Sequence, residues 1–471
     1  MIVGVALVPH PPILLQEIGR GEEEKARQTL KGMEEVAKRI RAKNPDLIIC
    51  VSPHGPFFSD GFCFLDERWV HGDFGMFGAS QVRMNKEIAQ EINRKLEEEL
   101  AREGISALFL NREIAAEYGI EPVLDHGSMV PLALIDQVLA GYRILHITIS
   151  GLSRLDHYRL GMVLAKVIGQ ANLQTVILAS GDLSHALKEQ GPYAYHPSGA
   201  VFDQELREAV RTGDVFSIVT MEEQLVEEAA QCGLPSFLVG LGAFDGYHIH
   251  SEVLSYEGPF GVGYMTAFLE PGNKMESWVE SLEAHFMKKL QEKIDGEDPV
   301  LRLARRAIEE RVRHGRRVSW KKIVQEEESL AYMEENRSGA FVSIYESGQL
   351  RGCIGTIEPS YEHLGDEIIE NAMAAALHDP RFLPIEPKEL PFLTVKVDVV
   401  HPPVLIKYLA DLDPERYGVV VEWEGRRGVL LPRLQGVDTA TEQVRIAKHK
   451  AGIPYEAKVD MYRFEVTRYE S

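Results

Sequence analysis

The sequence contains few cysteines and lacks a long apolar run. Its four cysteines are scattered over 471 residues without a CxxC pair, which argues against a disulfide framework and against a cysteine-rich structural zinc site. No segment approaches the roughly 18 consecutive apolar residues of a membrane helix, and the apolar residues 1–15 lack the basic start of a signal peptide. We therefore expect a soluble, cytoplasmic protein that does not bind membranes.

The sequence also has fewer basic than acidic residues. The chain has 51 lysines and arginines against 72 aspartates and glutamates, which gives a formal net charge of −21. Such an excess of negative charge disfavours binding to nucleic acids and to anionic membranes. We expect small molecules or proteins as partners, and the composition leaves the formation of a homo-oligomer open.

A chain of 471 residues is too long for one typical hydrophobic core, so two domains are expected. In residues 1–270, short apolar runs alternate with amphipathic helical patterns, which predicts a layered α/β domain. Residues 271–298 are expected to form a linker with a charged helix, introduced by the breaker residues EPGNK at 270–274. Residues 299–471 predict a smaller α+β domain, which includes a β-hairpin with its turn at residues 347–348.

Four histidines lie where structured segments end, namely His10, His54, His126 and His185. His10 and His54 directly follow short apolar runs typical of buried strands, a placement that gathers side chains at one edge of a sheet. Neutral imidazole is the commonest protein ligand for divalent transition metals, and neighbouring prolines restrict the backbone at both positions. The pair predicts a metal site. The alternative is that each is a turn histidine facing solvent.

His126 and His185 have acidic residues close to them in the sequence, Asp125 and Asp182. A carboxylate beside an imidazole raises the pKa of the ring and orients it, which suits proton transfer. We therefore predict His126, His185 and Asp182 as catalytic residues. In the alternative interpretation, both aspartates are turn or capping residues, and backbone groups satisfy the histidines.

Together, the motifs PHPP, SPHG, DHG and GDLSH resemble those of the class III extradiol dioxygenases of the LigB type and of the related Memo family. The resemblance covers residues 1–269 and implies a layered α/β fold of that type. It also implies that His10 and His54 bind Fe(II), with positions left open for a catecholate and dioxygen. His126 and His185 would then move protons.

The third metal ligand departs from the dioxygenase pattern. The dioxygenases carry a glutamate just before a helix that corresponds to residues 235–241, whereas this chain has Cys232 there, which resembles Memo-type proteins. A thiolate suits zinc or copper as well as iron, so Fe(II) is the expected metal and Zn or Cu are the alternatives. Two other interpretations stay open: Glu227 or Glu228 replaces the missing carboxylate, or Cys232 is only a small buried residue.

The segment LRGCIGT at residues 350–356 resembles the signature of the AMMECR-type domain, and the likeness extends over the second domain. Arg351 and Cys353 are two residues apart on a predicted strand, so both side chains project from one face, where a guanidinium lowers the pKa of a thiol. Together with His378 and Asp379 they form a candidate second site. The alternative is a buried cysteine in a strand whose glycines serve packing.

These patterns lead to a main functional hypothesis and two rivals. The main one is a metal-dependent oxidoreductase, similar to the Fe(II) extradiol dioxygenases, that opens a catechol or aminophenol ring with dioxygen. The first rival is a Memo/AMMECR pair in a radical-SAM-associated modification system, which binds or modifies a protein or small molecule without ring cleavage. The second rival is a scaffold without metal.

Overall fold

The computed structural model describes residues 1–346, 348–434 and 436–470. The chain divides into two compact units, Met1–Phe286 and Met287–Ser471. The division falls inside the helix Val279–Asp295, in the charged region between the two expected domains.

The strands of the first unit are β1 (Ile2–Val8), β2 (Leu47–Ser52), β3 (Phe62–Leu65), β4 (Trp69–Phe74), β5 (Ala79–Glu87), β6 (Ala107–Leu110), β7 (Arg143–Thr148), β8 (Thr175–Ser180), β9 (Tyr247–Glu257) and β10 (Tyr264–Lys274). Its helices are α1 (Gln16–Gly19), α2 (Arg27–Lys43), α3 (Gln90–Glu103), α4 (Arg112–Tyr118), α5 (His126–Asp136), α6 (Arg154–Ala171), α7 (Pro197–Thr212), α8 (Val215–Val219), α9 (Glu223–Glu228), α10 (Leu234–Gly242) and α11 (Val279–Asp295).

In the part of the chain that the structure describes, eight of these strands form one sheet in the order β6-β3-β7-β2-β8-β1-β10-β9. The neighbours β7, β2, β8 and β1 run parallel to one another. Strands β2 and β8 are buried along their whole length, as expected where helices cover both faces of a sheet. Helices α2 and α5 contact each other and the sheet, and so do α6 and α10. The predicted layered α/β fold is confirmed.

The parallel order of the strands decides which segments meet. Because β8 lies between β1 and β2 and all three run in the same direction, the residues that follow them emerge at one edge of the sheet. This carboxyl edge is where ligands bind in open α/β sheets. His10 follows β1, His54 follows β2, and Asp182 follows β8.

Helices α6 and α10 approach each other closely at Gly161. A Cβ atom at this position would lie 2.1 Å from the carbonyl oxygen of Val239, so only glycine fits. Helix α10 begins two residues after Cys232. The contact therefore helps to set the position of the segment that carries this cysteine.

The breaker cluster at residues 270–274 does not end the first domain, and that local prediction was wrong. The segment is the end of β10, where Pro271 pairs with Ile249 and Lys274 with Tyr247 on β9. The pairing is irregular between Pro271 and Lys274. Proline and glycine are tolerated there because the strand departs from regular pairing close to the sheet edge.

The strands of the second unit are β11 (Ala340–Glu346), β12 (Gln349–Gly355), β13 (Leu393–Val400), β14 (Val404–Ile406), β15 (Gly418–Trp423), β16 (Arg426–Leu430), β17 (Asp460–Phe464) and β18 (Val466–Glu470). Its further helices are α12 (Pro299–His314), α13 (Trp320–Glu326), α14 (Leu364–Leu377) and α15 (Ala440–Lys450).

Two four-stranded sheets, β12-β11-β13-β18 and β14-β17-β15-β16, make up the strands that the structure describes in this unit. The pairing within them is antiparallel, so the predicted α+β character is confirmed. Strands β11 and β12 form the expected hairpin, while Ser347 in its turn lies outside the described residues. Among the described residues, none of the helices has the length and apolar character needed to cross a membrane.

Candidate metal centre and its surroundings

His10 and His54 meet at the carboxyl edge of the large sheet. Their Nε2 atoms are 2.9 Å apart, and their rings are nearly perpendicular. His10 is buried, whereas His54 is an exposed residue. Burial lowers the pKa of both imidazoles, so both are neutral near pH 7 and each can present a lone pair.

Cys232 joins this pair from a distant part of the chain. Its Sγ lies 3.8 Å from His10 Nε2, and the ligand atoms of His10, His54 and Cys232 are within 4.8 Å of one another. The segment that carries Cys232 approaches the segment after β8 closely, because both have a glycine at the contact, Gly233 and Gly181. A Cβ on Gly181 would lie 2.0 Å from Gly233 Cα.

The chemistry of this donor set fits a transition metal. Two neutral imidazoles and one thiol converge, and three protein ligands with a free position are typical of catalytic metal sites. The second ring nitrogen of His10, Nδ1, lies 2.9 Å from Ser180 Oγ. A hydrogen bond of this kind to the outer nitrogen orients a metal-binding histidine. His10, His54 and Cys232 could therefore hold the metal.

His126 is the first residue of α5 and lies beside the histidine pair. Its ring stacks on that of His54 with a centroid distance of 4.3 Å, and Phe77 approaches it edge-on at 5.2 Å. Burial, with a further contribution from His54, lowers the pKa of His126 to about 4. The attraction of the Asp125 carboxylate raises this pKa, as expected, but loss of hydration outweighs it, so the net shift is downward.

Asp125 caps helix α5. Its carboxylate accepts hydrogen bonds from His146 Nε2 at 2.7 Å, from the Ser52 hydroxyl and from the Ser128 backbone N–H at 3.2 Å. Burial opposes its ionisation, but the bonds from His146 and Ser52 hold its pKa well below the usual range. The capping alternative is therefore correct for Asp125. His146 was missed because a histidine within an apolar strand gives no signal in the sequence.

His185 also lies close to Cys232. Its Nε2 is 3.8 Å from Cys232 Sγ, and Asp182, His185 and Cys232 form a second group of ligand atoms within 4.8 Å. Burial lowers the pKa of His185 to about 4, whereas its acidic neighbour in the sequence predicted a rise. The ring of the exposed Tyr193 lies 5.6 Å from that of His185.

Asp182 contacts His10 and Cys232. Its Oδ1 accepts the backbone N–H of His10 at 3.0 Å, and its own backbone N–H donates to Cys232 Sγ at 3.2 Å. Burial raises the pKa of Asp182 to about 7. The carboxylate therefore changes charge near neutral pH.

Glu227 and Glu228, the alternative third ligands, do not join the histidine pair. The Glu228 carboxylate accepts the hydroxyl of Ser198 at 2.6 Å and is 3.6 Å from His196 Nδ1. Among the described residues, neither Glu227 nor Glu228 belongs to a group of converging ligand atoms. Cys232 is the third donor that the structure brings to the histidine pair.

In the candidate site of the second unit, Asp379 and Arg381 form an ion pair beside Cys353. Asp379 accepts the backbone N–H of Cys353 at 2.8 Å and pairs with Arg381, which holds the pKa of Asp379 at about 2. The Cys353 thiol accepts the hydroxyl of Ser343 at 3.2 Å. His378 directly follows the last residue of α14, and its backbone N–H donates to a carbonyl oxygen of that helix.

The guanidinium of Arg351 is occupied by groups other than the Cys353 thiol. It pairs with Glu389 and donates to the carbonyl oxygens of Leu383 and Pro384. Arg381 is the arginine closer to the cysteine, where it donates to the Cys353 carbonyl at 3.3 Å. Arg351 thus donates to a carboxylate and to carbonyl oxygens, which compete better than a thiol for a guanidinium, and its predicted action on the thiol stays a prediction.

Comparison with known protein families decides the classification. A family model described as the catalytic LigB subunit of aromatic ring-opening dioxygenase matches residues 4–267, more than half of the chain. The chain belongs to the LigB family. A second family model, AMMECR1, matches residues 301–471. The chain is thus a LigB domain followed by an AMMECR1 domain, and the resemblance of the motifs is confirmed.

The relatives of this LigB protein include one that matches along nearly its whole length. Protein CA_C1420 of Clostridium acetobutylicum is 39% identical over 471 residues, which cover 99% of each chain. A protein of Thermotoga maritima is 47% identical over 178 residues, which are 37% of this chain and 99% of that protein. The crystal structure of the uncharacterized protein PH0010 from Pyrococcus horikoshii matches 36% of this chain and 89% of that chain, with 29% identity and a TM-score of 0.34.

Membership of the LigB family fits the donor set. The LigB domain has the fold of the extradiol-dioxygenase family, and this family is typically metal-dependent. The histidine pair of the LigB domain, together with Cys232, provides a place for such a metal.

Proposed function

We propose that the LigB domain is a metal-dependent oxidoreductase that opens a catechol or aminophenol ring with dioxygen, and that its metal is Fe(II). The observation that carries this proposal is the convergence of one ligand atom each from His10, His54 and Cys232 within 4.8 Å at the carboxyl edge of the parallel strands. Bound Fe(II) would supply Lewis acidity and the redox chemistry with dioxygen.

Two histidines beside this donor set suit proton transfer. His126 and His185, with pKa values lowered to about 4 by burial, are neutral near pH 7 and can each accept a proton. One can take the proton of a substrate hydroxyl, and the other can return a proton to the product. Asp182, whose pKa is about 7 and whose ligand atom lies within 4.8 Å of that of His185, can exchange a proton with His185.

Aromatic side chains near these histidines suit an aromatic substrate. Phe77 lies against His126, and Tyr193 lies beside His185. Their faces and edges favour stacking with a ring. We propose small aromatic diols or aminophenols, together with dioxygen, as the substrates.

Oxygen uptake tests this proposal. The protein is loaded with Fe(II) under anaerobic conditions, its iron content is measured, and oxygen uptake is followed with a panel of catechols and aminophenols. We expect turnover by the wild-type protein and none by His10→Ala. The control is His248→Ala, an exposed histidine on β9, which should keep the activity. Iron in the site without turnover of any compound would rule out ring cleavage.

A second candidate function rests on the thiol in the donor set and on the AMMECR1 domain. By the resemblance to the dioxygenases, Cys232 stands where a glutamate is expected, and its Sγ lies 3.8 Å from His10 Nε2. In the second unit, Cys353 accepts a hydrogen bond from Ser343. We propose as the alternative that the chain serves a radical-SAM-associated system and binds or modifies a protein or small molecule. Copurification of a radical SAM protein that is lost in Cys232→Ala or Cys353→Ala would support it. Normal function without that partner, and with both thiols unreactive, would contradict it.

A further inference from the structure

Two serines at the ends of parallel strands connect the metal-binding histidines to helix α5. Ser180 is the last residue of β8, and Ser52 is the last residue of β2. Both are buried. Each contacts one histidine of the pair and one group at the beginning of α5, the helix that starts with His126.

Ser180 has only one arrangement of its hydroxyl hydrogen that satisfies both neighbours. Its Oγ is hydrogen-bonded to the carbonyl oxygen of Gly127 and lies 2.9 Å from His10 Nδ1. A carbonyl oxygen can only accept, so the hydroxyl hydrogen of Ser180 points to Gly127. The oxygen of Ser180 must therefore accept a hydrogen from His10 Nδ1.

This arrangement determines which nitrogen of His10 carries its hydrogen. A neutral imidazole has one N–H and one lone pair. With the hydrogen on Nδ1, the lone pair is on Nε2, and Nε2 is the atom that faces His54 and Cys232. The ring is thus prepared for a metal before any metal binds.

Ser52 holds its histidine in a different way. It accepts the backbone N–H of His54 at 3.3 Å and donates its hydroxyl hydrogen to Asp125. Because it contacts the backbone of His54 and not the ring, it orients the loop without selecting a tautomer. Substitution of Ser52 therefore serves as a control for substitution of Ser180, since it should leave the tautomer unchanged.

We propose that Ser180 is a positioning residue that fixes His10 as the Nδ1–H tautomer and so presents the Nε2 lone pair to the ligand set. The inference rests on the proposed function in one respect, the identification of His10 as a metal ligand. It adds that the tautomer is set by the protein, through a chain from Gly127 to Ser180 to His10. Loss of a hydrogen bond to the outer ring nitrogen of a metal-binding histidine typically lowers metal affinity about 10–100-fold.

The experiment compares the full-length wild-type protein with Ser180→Ala, Ser52→Ala and Thr175→Val. Thr175 lies at the other end of β8, and its buried hydroxyl has no hydrogen-bond partner among the described residues, so Thr175→Val is a matched loss of a hydroxyl. Selective ¹⁵N labelling of histidine reports the tautomer of His10 in the metal-free protein, with His10→Gln used for assignment. Titration with Co(II) reports the affinity, and thermal unfolding checks the fold.

We expect the Nδ1–H tautomer in the wild type, in Ser52→Ala and in Thr175→Val, and a mixture or the opposite tautomer in Ser180→Ala. Affinity for Co(II) should fall about 10–100-fold in Ser180→Ala and stay unchanged in Thr175→Val. An Nε2–H wild type, an unchanged tautomer in Ser180→Ala, or an unchanged affinity of this variant would overturn the inference. If the wild type binds no Co(II), the proposed function fails, and the tautomer in the metal-free protein still decides the role of Ser180.

Discussion

At the scale of the residue, burial decides the protonation of the site more than neighbours in the sequence do. His126 directly follows Asp125, yet its pKa is about 4 because the ring is shielded from water and stacks on His54. The carboxylate of Asp125 is turned to His146 instead. The result is a set of neutral imidazoles, which suits metal binding and the uptake of protons.

The first prediction concerns the thiol ligand. Cys232→Ala should weaken the binding of Co(II) by at least about tenfold, roughly 1.4 kcal/mol, because one of three donors is lost. It should also remove the near-ultraviolet absorption of a thiolate–cobalt bond. The control is Cys63→Ala, which removes a buried thiol of β3, a strand separate from the donor set. An unchanged spectrum in Cys232→Ala would show that the sulfur is not a ligand.

The second prediction concerns acid stability. Burial lowers the pKa of His157 from 6.5 to about 4, and the ring is hydrogen-bonded to the backbone of Ser153 and Ser150. Because the unfolded state binds this proton more readily, the contribution of His157 is full above pH 6.5 and is lost as the pH falls towards 4. The loss amounts to about 3 kcal/mol.

Urea unfolding at pH 7 and pH 4.5 measures this contribution. The stability of His157→Asn should depend less on pH than that of the wild type, by up to the same amount. The exposed His248→Asn serves as the control and should follow the wild type. Equal pH dependence in wild type and His157→Asn would contradict the prediction.

At the scale of the element, close contacts between helices hold the segments that carry the site. Helix α10 starts just after Cys232 and packs against α6 at Gly161, where a Cβ would lie 2.1 Å from a backbone oxygen. A backbone atom cannot move aside as the end of a side chain can. A substitution at this point must separate the two helices.

The third prediction compares two glycines of α6. Gly161→Ala should destabilise the protein by about 1–3 kcal/mol because it overpacks the contact with α10, and it should weaken metal binding through the displaced Cys232. Gly169→Ala, on the same helix with nothing within 4 Å of its Cβ position, should stabilise the protein by up to about 1 kcal/mol. Thermal unfolding and Co(II) titration measure both effects. Similar behaviour of the two variants would contradict the close contact.

At the scale of the whole molecule, each compact unit has a hydrophobic core of its own. The large core belongs to the LigB domain, and the second unit contains separate clusters around α12 with α14 and around β15 with α15. The first turns of α11 pack on the large core, through Val279 and Leu282. Glu297 forms a buried ion pair with Arg305 inside the second unit.

The fourth prediction follows from these separate cores. Fragments 1–295 and 296–471 keep α11 and the Glu297–Arg305 pair intact, so each should fold by itself with a cooperative thermal transition. Fragment 1–295 should bind Co(II) as the full chain does. Circular dichroism and metal titration test both points. An unfolded fragment, or a fragment 1–295 without metal affinity, would show that the units depend on each other.

Much of the fold could be predicted from the sequence because its signals are local. Apolar runs at β1, β2 and β8 indicated buried strands, and the site residues His10 and His54 followed from their position after two of these strands. The end of β10 could not be predicted, because the proline and glycine at 270–274 are typical of a loop. Its pairing with β9 shows that the segment is a strand. Local composition cannot show which strand lies alongside.

The fold classes of the two domains and the four histidine motifs could be read from the sequence alone, because periodicity and motifs are properties of short segments. The contact of Cys232 with His10 across 222 positions of the chain, the bond of Asp125 to His146 and the pairing of Arg351 with Glu389 came only from the tertiary structure. It also decided the sign of the pKa shifts. The physical reason is that burial and hydrogen-bond partners come from segments far apart in the chain, which meet only when the sheet and its helices have packed.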